Sequence, residues 1–160
     1  MKWLVLLYAF FIPSYAPVAR RLSRFLKAHL GSRGFFLLML FTSGTILAFI
    51  ALDLRRRKTA KERMFFLLIM AILTALIFWL KIPEEKIHVA EFALLGFLAA
   101  KYLPNRLFSI GLIPFTAFLD ESFQYILPDR VFDVRDIVID IVAGVLGFLI
   151  AFNYKSRSSS

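Results

Sequence analysis

The residues able to do chemistry in this chain are concentrated in residues 118–147, FLDESFQYILPDRVFDVRDIVIDIVAGVLG. There Asp120, Glu121, Gln124, Arg130, Asp133, Arg135, Asp136 and Asp140 sit among apolar residues. His88 and Glu91 form a shorter group upstream. An ionisable group at the centre of a helix in hydrocarbon costs roughly 2.5–3.5 kcal/mol, so this many beside hydrophobic segments implies use or pairing. Carboxylates, an imidazole and a guanidinium can together bind an amine, a hydroxyl, a phosphate or a divalent cation, or move a proton. Asp120 and Gln124 share a helical stripe, whereas Glu121 is turned about a hundred degrees from it. Asp136, Asp140, Gly144 and Gly147 form a second stripe, whose glycines suit close helix packing. His88 and Glu91, three residues apart, can point into one site.

The elements that must position these groups follow from composition. The chain has 160 residues, 60% of them hydrophobic, with 19 phenylalanines and a mean hydropathy of +0.75. That is too apolar for a soluble domain of this size and fits a polytopic membrane protein in one domain, 1–160. The net charge of +9 lies in short segments between apolar runs, the pattern of topology signals and lipid-headgroup contacts. No soluble basic face is left to bind nucleic acid. Cysteine is absent, which excludes disulfides, thiolate chemistry and cysteine metal sites.

An all-α bundle of about six transmembrane helices is expected, with five as the alternative count. Residues 1–17 resemble a signal peptide, but Pro17 after Ser14-Tyr15-Ala16 hinders cleavage and favours a retained first span, tilted or distorted at Pro13. Residues 18–33 place Val18, Leu22, Phe25, Leu26 and Leu30 on one face and Arg20, Arg21, Arg24 and Lys27 elsewhere. This is an amphipathic helix suited to the membrane interface, either a plain connector or a partner-binding element. Gly31 and Gly34 punctuate the entry to the next span. Further spans are expected over 35–52, 64–80, 87–103, 107–127 and 136–153, with a flexible tail at 154–160. Pro83, Glu84 and Glu85 suit a helix start. Lys and Arg divide 11 to 9 between the two faces of a six-span model, and the density of 53–63, DLRRRKTAKER, favours cytoplasmic termini in a plasma-membrane protein.

Alternation of the spans brings the start of the fourth, the end of the fifth and the start of the sixth to one face. His88, Glu91, Asp120, Glu121, Gln124, Arg130, Asp133, Asp136 and Asp140 therefore converge in a polar pocket reaching part-way into the bilayer. At about 1.5 Å per residue, Asp120 lies roughly 10 Å below the end of its helix.

At these residues the sequence resembles the VanZ-like family of small bacterial membrane proteins, whose founding member is linked to teicoplanin resistance. The family's His with its following acidic or aromatic position matches His88, Glu91 and Phe92. Its acidic pair and Gln match Asp120, Glu121 and Gln124; its turn matches Pro128 and Arg130; its following Asp and glycines match Asp136, Gly144 and Gly147. Asp129 stands where the family has Gly, a position Asp tolerates through its access to left-handed conformations. Asp140 replaces the family's Asn and adds a charge. The resemblance covers about residues 85–150. It implies a possible link to glycopeptide resistance, with no established reaction.

Four readings compete. The leading one is a pocket for an envelope component or lipid headgroup, such as a cell-wall precursor. Arg130 would take a phosphate or carboxylate, and Asp120, Glu121, Asp136 and Asp140 an amine, hydroxyl or divalent cation. The second is an intramembrane hydrolase or transferase, with Glu91 or Asp120 as base and His88 as acid; its oxygen-rich ligands would suit Mg²⁺ or Mn²⁺. A proton- or cation-coupled carrier is weaker, because no inverted repeat is visible. The plainest is that the polar groups only tie helices together, at about 0.6 kcal/mol per contact on average.

Overall fold

A computed structural model describes residues 1–57, 59–127 and 132–155, with only the backbone at 56 and 153–155. Six α-helices and no strand occur among the described residues. They are α1 (Lys2–Ser14), α2 (Ala16–Ala51), α3 (Ala60–Trp79), α4 (Pro83–Tyr102), α5 (Arg106–Tyr125) and α6 (Val134–Lys155), with a 3₁₀ turn at Leu52–Arg56 after α2.

Helix boundaries follow local chemistry. The Thr59 hydroxyl accepts from the Glu62 N–H while the Glu62 carboxylate accepts from the Thr59 N–H, a capping box that starts α3. Pro83 occupies the first turn of α4 with Glu84 and Glu85, where a missing N–H is harmless and negative charge complements the dipole. Asn105 caps α5 by accepting from the Phe108 N–H at 3.1 Å. The far end of α3 is closed by Lys86, whose buried Nζ donates to the carbonyls of Ile77 (2.6 Å) and Leu80 (2.5 Å), two acceptors the helix leaves without a partner.

The expected break between the basic amphipathic segment and the next apolar run falls at Gly31. Its φ of 68° and ψ of 172° interrupt α2, in a region glycine enters without a Cβ clash. Pro13 lies within the last turn of α1, which continues to Ser14 before α2 begins at Ala16.

The core is built round α4. Val89, Ala90, Phe92, Ala93, Leu95, Gly96, Phe97, Ala99 and Ala100 are all buried, so apolar residues cover most of its circumference. Its main partner is α6, and small residues decide the contact. A Cβ on Gly96 would overlap the Gly144 carbonyl, one on Gly147 the Ala93 carbonyl, and one on Gly144 the Ile113 side chain of α5. No side chain fits between these backbones.

The basic segment 53–63 is not simply a solvated loop. Arg57 is 2% exposed, donating from Nη2 to Asp53 Oδ2 at 2.8 Å and to the Ile150 carbonyl at 2.6 Å. Lys101 Nζ reaches Asp53 Oδ1 at 3.0 Å. This network ties the turn after α2 to α4 and α6.

By length and composition, two helical segments are apolar enough to cross a membrane, Ala16–Arg55 and Ala60–Trp79, and Lys2–Ser14 is a shorter apolar helix. The charged residues of α4, α5 and α6 set those helices apart. Among the described residues the architecture is all-helical.

Candidate functional site

The first turns of α4 and α6 and the last turns of α5 meet at one end of the bundle. Asp120, on α5, is 1% exposed. Its Oδ2 accepts from Gln124 Nε2 at 2.7 Å, one turn on, and lies 3.4 Å from His88 Nδ1 on α4. Asp140 is buried on α6, and one ligand atom each from His88, Asp120 and Asp140 all lie within 4.8 Å of one another. Among the described residues, this group could hold a metal ion.

A cavity of about 180 Å³ opens beside the trio. Its polar wall comprises Glu84, Glu85, His88, Gln124, Asp133, Arg135, Asp136 and Asp140, a set with strong excess negative charge. Arg135 Nη2 stands 3.4 Å from Glu85 Oε2 and bridges the starts of α6 and α4 at the rim. Burial pushes the Glu85 carboxyl above its ordinary range; Arg135 opposes the shift, and Asp136 and Asp133 add to it.

The remaining expected residues divide by role. Glu121 is buried, and its Oε1 accepts from the Asp133 N–H at 2.7 Å. The turn that separates it from the Asp120 stripe thus directs it to the chain entering α6. Asp133 is exposed, lines the cavity and accepts from the Arg135 N–H at 2.8 Å, an N-terminal cap for α6. Glu91 lies one turn deeper than His88 and outside the cavity wall, with both carboxylate oxygens 2.7 Å from the Tyr15 hydroxyl. Asp136 is in the wall, half-buried. Gly144 and Gly147 lie at the α4–α6 contact. Arg130, with Pro128 and Asp129, falls outside the described residues, as does the end of the tail, 156–160.

Sequence reasoning missed Tyr8, Tyr15, Glu84 and Glu85 as members of this region, and it singled out Arg135 without its partner Glu85. Tyr8 donates to the Glu91 carbonyl at 3.3 Å, so α1 and the residue between α1 and α2 contribute two hydroxyls to one residue of α4. The alternation that brought His88 and Asp120 together also puts the end of α1 and the first turn of α4 at this end. That signal could have found Tyr15, Glu84 and Glu85.

A second void, about 700 Å³, is a groove between the end of α1, the basic first half of α2, the start of α4 and the end of α5. Glu84, His88 and Gln124 line both voids, so the groove leads to the polar cavity. The family model described as VanZ/LLP1 matches residues 3–155.

The chain belongs to the VanZ/LLP1 family.

The match takes in α1 to α3 as well as the polar region, so the VanZ-like likeness extends well beyond 85–150. No curated protein and no solved structure matches the chain. Membership and the two long apolar helical segments suggest a membrane protein.

Proposed function

We propose that this VanZ-family chain is a six-span plasma-membrane protein with cytoplasmic termini, whose His88–Asp120–Asp140 pocket receives the polar head of an envelope component or lipid. The observation that carries this reading is the meeting of those three side chains where a polar cavity, lined by His88 and Asp140, adjoins a largely apolar groove, lined by His88 and Asp120. A small polar solute would not use the groove, and a wholly apolar ligand would not use the carboxylates. An amphiphile uses both.

The membrane frame has independent support. Trp3, Phe10, Phe41, Met64, Phe78 and Leu107 are all exposed, an apolar exterior that soluble monomers rarely carry on this scale. In α4, α5 and α6 the ionisable groups turn toward one another, as charged groups within membrane helices must. The density of Arg and Lys at 53–63 favours the cytoplasm for that side. The pocket then opens to the outer face, toward the cell wall. Reduced susceptibility to teicoplanin-type glycopeptides is the expected consequence where the captured component carries or displaces the drug's target.

The test is a mass-spectrometric comparison of envelope lipids, and of lipid copurifying with the protein, across wild type, a deletion, His88→Ala and Asp120→Asn. A lipid retained by the wild type and lost from both variants is expected. If both variants insert at wild-type levels and retain the same lipid, the polar groups are interhelical ties and the reading falls.

A second reading rests on the 3.4 Å approach of His88 Nδ1 to Asp120 Oδ2. An imidazole oriented by a carboxylate is suited to proton transfer in a hydrolase or transferase. A new lipid product formed by the wild type and missing from His88→Ala would distinguish turnover from retention.

A further inference from the structure

The two voids differ in charge: the groove adds the α2 cations to its two carboxylates, Glu84 and Asp120, whereas the cavity is predominantly acidic. On the groove side, Arg20, Arg24 and Lys27 lie at i, i+4 and i+7 of α2 and line one wall, so all three face one way. Arg24 and Lys27 are exposed. Beside them Val18, Leu22 and Leu26 present apolar surface to the same groove, with Val18 66% and Leu22 53% exposed. On the cavity side, five carboxylates face one guanidinium and one imidazole. Glu84, His88 and Gln124 stand in both walls.

Such a field orders a ligand. A phosphate is attracted to the α2 stripe and repelled from the cavity, whereas a cation is attracted to the cavity. Guanidinium groups match phosphate oxygens through paired N–H donors. The groove's apolar wall covers a hydrocarbon chain. A glycerophospholipid whose phosphate carries a short arm ending in a primary ammonium meets all three demands in order: chain, then anion, then cation. A headgroup ending in hydroxyls gains nothing from the net charge of the cavity. A trimethylated ammonium has no N–H to donate to the carboxylates.

Resting on the headgroup-binding reading above, we propose that the ligand is an ethanolamine-type phospholipid drawn from the surrounding bilayer, with its acyl chain in the α1–α2 groove, its phosphate on the Arg20–Arg24–Lys27 stripe and its ammonium in the Glu84–Asp136 cavity. The bilayer is the source because the groove is walled by the interfacial half of α2, whose exposed apolar residues would lie among lipid chains.

The test is native mass spectrometry of the full chain in detergent, titrated with phosphatidylethanolamine, phosphatidylglycerol, phosphatidylcholine and phosphate-free diacylglycerol. The wild type is expected to retain phosphatidylethanolamine about tenfold over the other two phospholipids, equivalent to about 1.4 kcal/mol, and to retain no diacylglycerol. Arg24→Gln with Lys27→Gln, both on exposed positions, should weaken all three phospholipids alike. Glu84→Gln with Asp136→Asn should erase the ethanolamine preference while phosphatidylglycerol binding persists. Equal retention of the three phospholipids by the wild type overturns the proposal, as does a preference that survives the acidic double variant or a dimer that excludes lipid from the groove. If the preference is missing but Asp120→Asn still releases a copurified polar lipid, only this assignment fails. If Asp120→Asn and His88→Ala leave binding of every lipid unchanged, the headgroup reading fails with it.

Discussion

Tyr15 shows how much one side chain contributes at this site. Its single proton serves two carboxylate oxygens of Glu91, each 2.7 Å away, so it alternates between them or bifurcates. Tyr15→Phe leaves the half-buried Glu91 carboxylate short of a donor and is expected to lower stability by about 1–3 kcal/mol. The Tyr15→Phe, Glu91→Gln double variant should cost less than the sum of the single changes, because both remove the same contact. Thermal unfolding of the four proteins in detergent gives the coupling, and strict additivity would disprove the link. Glu85 makes a pH prediction. Its carboxyl is held above the ordinary range chiefly by burial, so the folded state binds the proton more tightly than the unfolded chain does. The stabilising contribution is therefore complete below the unfolded value and lost as pH rises through the folded one. Glu85→Gln has no such proton to lose. Its melting temperature relative to wild type should rise between about pH 4 and about pH 7, and a falling or flat difference would contradict the sign.

Among the elements, α4 and α6 depend on missing side chains. The Gly96 and Gly147 positions face backbone carbonyls across the helix pair, and backbone cannot yield as a flexible side chain can. Gly147→Leu is expected to force the helices apart, with loss of several kcal/mol as for severe core overpacking (typically about 1–3 kcal/mol, occasionally more), and with it the Asp140 position opposite His88. Gly111→Ala on α5, where a Cβ meets nothing within 4 Å, should leave the melting temperature unchanged or slightly raised and serves as the matched control. At the other end of the bundle, Arg57→Ala would leave the buried Asp53 with Lys101 as its remaining described cation. Loss of one partner of a buried pair costs about 3–5 kcal/mol, less here by what Lys101 supplies. Expression yield and unfolding temperature read both changes.

For the whole molecule, topology is the decisive property. The chain has no cysteine, so single introduced cysteines report position without background. With cytoplasmic termini, Arg55→Cys should resist a membrane-impermeant maleimide in intact cells and Lys81→Cys should react. Both positions are exposed. Reaction of Arg55→Cys with Lys81→Cys protected would invert the assignment and turn the pocket to the cytoplasm. Labelling of both without permeabilisation would break the six-span arrangement.

The sequence alone was enough to determine that the chain is helical, where the helices lie to within a few residues, that it is VanZ-like, and that the start of α4, the end of α5 and the start of α6 share one end. The VanZ likeness rested on the resemblance of the motif residues; the others follow from hydrophobic run length, from cap and proline chemistry, and from alternation, all of which are local or additive along the chain. The Asp120–Gln124 hydrogen bond was legible for the same reason, since both ends lie on one helix four residues apart. Only the tertiary structure decided that Tyr15 serves Glu91, that Arg57 turns inward to Asp53 and Ile150, that Glu121 holds the entry to α6, and that the groove along α2 meets the acidic cavity at His88. These relations depend on the rotation of each helix about its axis and on the distance between axes. Those are set by where glycine and alanine on α4 and α6 allow backbones to touch, which hydropathy does not encode.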